Sequence, residues 1–115
     1  MSETISPPDE NPQIEPFEYI TEDGEATFKF NLVPSTSENG KPYFEIDIVE
    51  QPEYGDRDAK TSITHFRGNS RGGKMVCIGD YPESTPTIED AKKWAGMWAK
   101  FTWRYIKTGK EFPNE

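Results

Sequence analysis

Residues 85–109 read TPTIEDAKKWAGMWAKFTWRYIKTG, and the periodicity of this stretch decides the fold. Both of its ends are marked. Pro86 after Thr85 suits the first position of a helix, where a missing N–H has no intrahelical partner to lose, and Thr87 with Asp90 three residues on forms an overlapping cap. Either signal starts a helix within two residues of Thr87. At the far end Lys107 and Lys110 bracket Gly109, a residue able to take the left-handed conformation that stops a helix, and the two cations favour the negative helix pole. Between the ends, 100° per residue gathers Trp94, Trp98, Phe101 and Tyr105 on one arc, continued by Ile88, Ala91, Ala95, Thr102 and Ile106. Aromatic side chains each bury roughly 150–250 Å², so the arc is expected to supply a large share of the core. Ala91, Ala95 and Ala99 let the backbone approach a sheet closely.

The opposite face gathers Lys93, Lys100, Arg104 and Lys107 into a basic stripe, with Trp103 near the boundary of the two faces and Met97 on the polar side. A solvated face of good helix formers explains the stripe most simply; a docking surface for an anion or an acidic partner is the alternative.

Upstream, Glu25–Val33 alternates, with Phe28, Phe30 and Leu32 on one side and Thr27, Lys29 and Asn31 on the other, and Pro34 is read as its end. The Asn39-Gly40 turn signal leads to Tyr43–Glu50, where Phe44, Ile46 and Ile48 point inward and Glu45, Asp47 and Glu50 outward. Phe17–Ile20 reads as a short edge strand, residues 51–60 as a loop, and Thr61–Arg67 and Met75–Gly79 as two further short strands around the turn GNSRGGK. The expected fold class is therefore α+β: an antiparallel sheet of four to five strands with one long C-terminal amphipathic helix packed on one face.

The 115 residues suit one domain, 32% hydrophobic and 30% charged but rich in aromatics. Residues 1–16, with four of the ten prolines, several acids and almost nothing to bury, are expected to be a disordered acidic tail, leaving 17–115 as the domain. No apolar run is long enough to span a membrane, the N-terminus lacks the pattern of a signal peptide, and the single cysteine, Cys77, argues against a disulfide scaffold, so the expectation is a cytoplasmic protein without a membrane partner. The net charge of −8 is unevenly placed: residues 1–56 hold 14 acids and two bases, residues 57–115 seven acids and 11 bases.

Gly68–Lys74, GNSRGGK, matches part of a phosphate-cradling loop, but Met75 stands where a hydroxyl would hold magnesium and a strand pattern follows where a helix should, which excludes the mechanism. Arg67, Arg71 and Lys74 with His65 and Phe66 instead form a basic hairpin tip with an aromatic at its base, a local recipe for gripping a phosphodiester strand while stacking on a base. His65, the only histidine, has no carboxylates placed around it, so no metal or acid–base role is expected. Cys77, between Val76 and Ile78, reads as a buried or half-buried strand residue. Glu45 and Asp47 share one side of a strand about 7 Å apart and read as a solvated sheet face.

In the order of its elements, and in nothing more specific, the span 17–109 resembles the Whirly-type and Pur-type modules, and that resemblance implies single-stranded nucleic-acid binding on a curved sheet. From the residues themselves, the first expectation is a small non-enzymatic protein-interaction module, without cofactor or metal, that presents acidic surface to a basic partner protein. The alternative is a single-stranded nucleic-acid binder using His65, Phe66, Arg67, Arg71 and Lys74 of the hairpin with Lys93, Lys100, Trp103, Arg104 and Lys107 of the helix. Oligomeric state stays open, since an edge strand or Trp103 could pair two copies.

Overall fold

A computed structural model describes residues 13–112; of the tail expected at 1–16, residues 1–12 lie outside them. Five strands, β1 (Glu15–Ile20), β2 (Thr27–Thr36), β3 (Pro42–Glu50), β4 (Phe66–Gly68) and β5 (Lys74–Val76), make one antiparallel sheet in the order β1-β2-β3-β5-β4. Two single-turn helices, α1 (Thr61–Thr64) and α2 (Tyr81–Ser84), connect strands, and the long helix α3 (Ile88–Thr108) closes the chain as an α+β arrangement. None of the described helices is long and apolar enough to cross a membrane.

The caps of α3 follow from its sequence. Of the two threonines offered, Thr87 is the cap: its hydroxyl accepts from the Asp90 N–H at 3.1 Å and donates to the Asp90 carboxylate at 2.8 Å. Gly109 ends the helix with φ of 78°. Thr85 instead closes α2 and, fully buried, donates its hydroxyl to the Phe44 carbonyl at 2.6 Å, tying the approach of α3 to β3.

Alternation in β2 and β3 puts Phe28, Phe30, Leu32 and Ile46 on the face that α3 covers, all of them buried. Trp98 stands edge-on to Phe28 and Phe30, ring centroids 6.0 Å away in each case, and its indole N–H donates to the Thr64 carbonyl at 2.9 Å. The buried arc of α3 is Ala91, Ala95, Trp98, Ala99, Thr102 and Tyr105. That arc is turned from the expected one: Trp94 and Phe101 sit on its flank, half-buried. The alanines form a narrow strip that lets the helix axis settle close to the sheet, and rings as large as Trp94 and Phe101 fit only beside it.

Four local expectations are corrected. β2 does not stop at Pro34 but runs through it to Thr36; Pro34 lies past the last pair with β1, Glu15 with Leu32, so its missing N–H removes no bond to that strand. The stretch Thr61–Arg67 is not one strand: α1 comes first, His65 takes a left-handed φ of 58° as its cap, and pairing starts only at Phe66. The indole of Trp98 and the Thr64 hydroxyl, which donates to the Lys60 carbonyl, reward that turn. β5 ends at Val76, short of Gly79. The described chain is already strand at Glu15, two residues before the boundary read at 17.

Where β5 leaves β3, the buried Tyr81 hydroxyl donates to the Val76 carbonyl and accepts from the Ile46 N–H. Burial pushes this phenol well above its ordinary range, so it stays a donor throughout the working pH range. Tyr81→Phe is expected to lower stability by about 2 kcal/mol in urea denaturation, because two buried backbone groups lose their partner while the ring remains; an unchanged midpoint would refute the bridging role.

Candidate docking groove beside the C-terminal helix

On the flank of α3 that faces β5, Trp94, Met97, Trp98 and Phe101 form one wall of a groove of about 360 Å³, and His65, Val76 and Cys77 form the other. Phe112 closes one end, its ring 5.6 Å from Phe101 and 4.7 Å from His65. Local sequence explains each position. The left-handed turn at Gly109 sends the chain back along α3, and Arg57 secures that turn by donating to the Ile106 and Lys107 carbonyls at 3.2 and 3.3 Å. The left-handed backbone of His65 ends α1, and its carbonyl accepts from the Cys77 N–H at 2.8 Å, which holds the two residues of the far wall together. Cys77 lies past the end of β5 and is exposed, not the buried or half-buried strand residue expected. Met97, 39% exposed, opens the groove to solvent.

Lys93, Met97, Lys100 and Arg104 recur four, three and four residues apart along the outer surface of α3, a ridge bordering the groove. The Arg104 guanidinium lies 5.0 Å from the Phe101 ring centre and donates to the Glu111 carbonyl at 3.2 Å. Across the ridge a second cleft of about 280 Å³ is lined by Tyr19, Asp23, Lys100, Trp103 and Lys107 among others. Two of its charges, Asp23 and Lys107, pair with each other. Asp23 accepts from the Thr21 hydroxyl at 2.6 Å, from Lys107 at 2.9 Å, from the Trp103 indole at 2.9 Å and from the Glu25 N–H at 2.9 Å.

Those donors, the Thr21 hydroxyl foremost, hold the Asp23 carboxyl well below the usual carboxylate range. A depressed folded value means that the contribution of Asp23 is complete above the unfolded value, about pH 3.9. It is lost as the pH falls below that, towards the folded value. In an acid titration by NMR the Trp103 indole N–H signal is expected to hold its position until well below pH ~4, and in Asp23→Asn this step disappears. Movement centred at an ordinary carboxylate value would contradict the network.

On the sheet face away from α3, Glu45 and Asp47 are not a solvated pair. Arg71 donates to both Asp47 oxygens at 2.7 Å and to Glu45 at 2.6 Å, and the Tyr43 hydroxyl donates to Glu45 at 2.9 Å. Asp47 is buried. The partner that removes these carboxylates from water lies 24 and 26 residues away in the β4–β5 turn. In that turn the N–H groups of Arg71 and Gly73 both donate to the Asn69 side chain at 2.8 Å, so they do not form a phosphate cradle.

The residues expected at a binding site are thereby separated. Arg67 pairs with Met75, which pairs with Asp47, placing Arg67 with Arg71 on the open sheet face. Lys74 is in register with Ile48, on the helix side, its ammonium 4.7 Å from the Phe66 ring. His65 joins the groove; Lys93, Lys100 and Arg104 form the ridge; Trp103 and Lys107 belong to the Asp23 network. Arg67 and Arg71 of the hairpin thus lie on the face away from the helix bases, and only Lys74 is on the helix side. The open face that the resemblance would assign to nucleic acid carries Glu18, Glu45 and Asp47 beside its bases, and its aromatic, Tyr43, is bonded to Glu45. Carboxylates of the acidic front half pair with the basic back half: Glu15 with Lys92, Asp23 and Glu25 with Lys107, Glu45 and Asp47 with Arg71.

Sequence reasoning missed Trp94, Met97, Phe101, Cys77 and Phe112 as parts of one site. Two signals pointed there: Met97 on the polar side of a basic stripe, and an aromatic three residues past the glycine that ends α3. The sequence matches no protein-family model, and no curated protein and no solved structure is significantly similar to it.

Proposed function

We propose that this chain is a small non-enzymatic protein-interaction module that holds a segment of its partner in the groove between α3 and the end of β5. One observation carries the reading: an apolar, aromatic-walled groove that stays open to solvent at Met97 instead of being filled by the core. Its wall residues come from elements anchored elsewhere, α3 by Trp98 and the His65–Cys77 wall by backbone bonds, so the groove is preformed. Its lining includes no carboxylate to work with His65, which supports binding over acid–base chemistry. Among the described residues, six of the front-half acids that the sequence offers to a basic partner lie in ion pairs within the chain, so the reading rests on the groove rather than on acidic surface. Single-stranded nucleic-acid binding would need the two basic sets on one surface.

The test is capture from a lysate of the source with the immobilised full chain, comparing the wild type with Met97→Asp, whose substitution lies at an exposed position. Proteins retained by the wild type are expected to fall at least roughly tenfold with the variant, as for a central contact of an interface, and to resist nuclease. Capture indifferent to Met97→Asp, or abolished by nuclease, overturns the reading.

A further inference from the structure

The ridge along the groove specifies the chemistry of what docks there. We infer that the groove, read as a protein-docking site, takes an acidic segment whose carboxylates flank a large apolar side chain. Lys93 and Lys100 are exposed and form no ion pair with any described residue, whereas Lys92 and Lys107 of the same helix do. They stand seven residues apart on α3, roughly 10 Å by the helical rise, on either side of the exposed Met97. That distance matches the length of groove between Trp94 and Phe101, which are also seven residues apart. A segment lying along α3 with an apolar residue between two acids therefore places its side chain among Trp94, Met97 and Phe101 while its carboxylates reach Lys93 and Lys100. Arg104, held against Phe101, extends the same field. Glu22 and Asp23 share the second cleft with Lys100 and Arg104, and neither is ion-paired with Lys100. A basic segment would bring its charges against two cations, and an uncharged one would leave them unanswered.

The experiment is selection of random 12-residue peptides displayed on phage against the full chain, with counter-selection on Met97→Asp. Enriched peptides are expected to carry Asp or Glu on both sides of Phe, Trp or Leu. As synthetic peptides they should bind the double variant Lys93→Glu with Lys100→Glu at least roughly tenfold more weakly, and weaken as salt is added. Circular dichroism of both variants is expected to match the wild type, because all three positions are exposed. Met97-dependent peptides without acids, or with affinity indifferent to the double variant, overturn the acidic preference and leave the docking reading standing. An absence of Met97-dependent enrichment overturns both. A 12-nucleotide single strand that binds more tightly than any selected peptide and loses that affinity in the double variant assigns the ridge to nucleic acid and also overturns the inference.

Discussion

Trp98→Ala is expected to lower the unfolding free energy by about 3–5 kcal/mol. Trp98 is the point at which three parts of the chain meet: it is 4% exposed, stands edge-on to Phe28 and Phe30 of β2, and donates its indole proton to Thr64 at the end of α1. Truncation leaves a cavity between helix and sheet and strips a buried carbonyl of its donor, two penalties that add. A domain of this size has about 5–15 kcal/mol in total, so the variant is expected to populate unfolded chain measurably at room temperature. Trp98→Phe separates the terms: most of the ring contact returns while the Thr64 carbonyl stays without its donor. A loss below about 1 kcal/mol for Trp98→Ala would mean that α3 does not rest on the sheet through this residue, and the groove built on its flank would fall with it.

Arg71→Ala is expected to lower stability by about 2–3 kcal/mol, between the negligible worth of an exposed pair and the larger loss on breaking a fully buried one. The side chain is 34% exposed, whereas its partners Asp47 and Glu45 are 13% and 20% exposed, so removing the guanidinium leaves two carboxylates poorly solvated on a sheet face. Arg71→Lys is expected to recover only part of the loss, because an ammonium cannot donate to both oxygens of Asp47 while also reaching Glu45. Hydrogen exchange provides a local readout: faster exchange confined to β4, β5 and the turn between them would fit a clasp that holds the hairpin to β3. No change on Arg71→Ala would return Glu45 and Asp47 to the status of solvated strand residues.

The helix and the two long strands were legible because their signals are local and repeated. Thr87, Asp90 and Gly109 mark the ends of α3 within a few residues of themselves, and Phe28, Phe30 and Leu32 set the face of β2 by simple alternation. Thr61–Thr64 and Tyr81–Ser84 were not legible, since four residues hold no period and their turns are stabilised by distant groups: the Trp98 indole for one, and the Phe44 carbonyl, through Thr85, for the other. The partner of Glu45 and Asp47 was invisible for the same reason. The groove was half legible, in that Met97 beside a basic stripe was a sign, but which aromatics lie on the flank depends on how far α3 is rotated. That rotation is set by packing the strip of Ala91, Ala95 and Ala99 into the core that α3 shares with β2 and β3.

By itself, then, the amino-acid order determined that a capped helix with an apolar side would lie on an antiparallel sheet, since helix ends and face periodicity are written in neighbouring residues. Only the tertiary structure decided which charges meet, which aromatics are left at the edge of the core, and that Phe112 returns to close a groove over His65 and Cys77. Those outcomes depend on distances between residues far apart in the chain, and such distances exist only once it has folded.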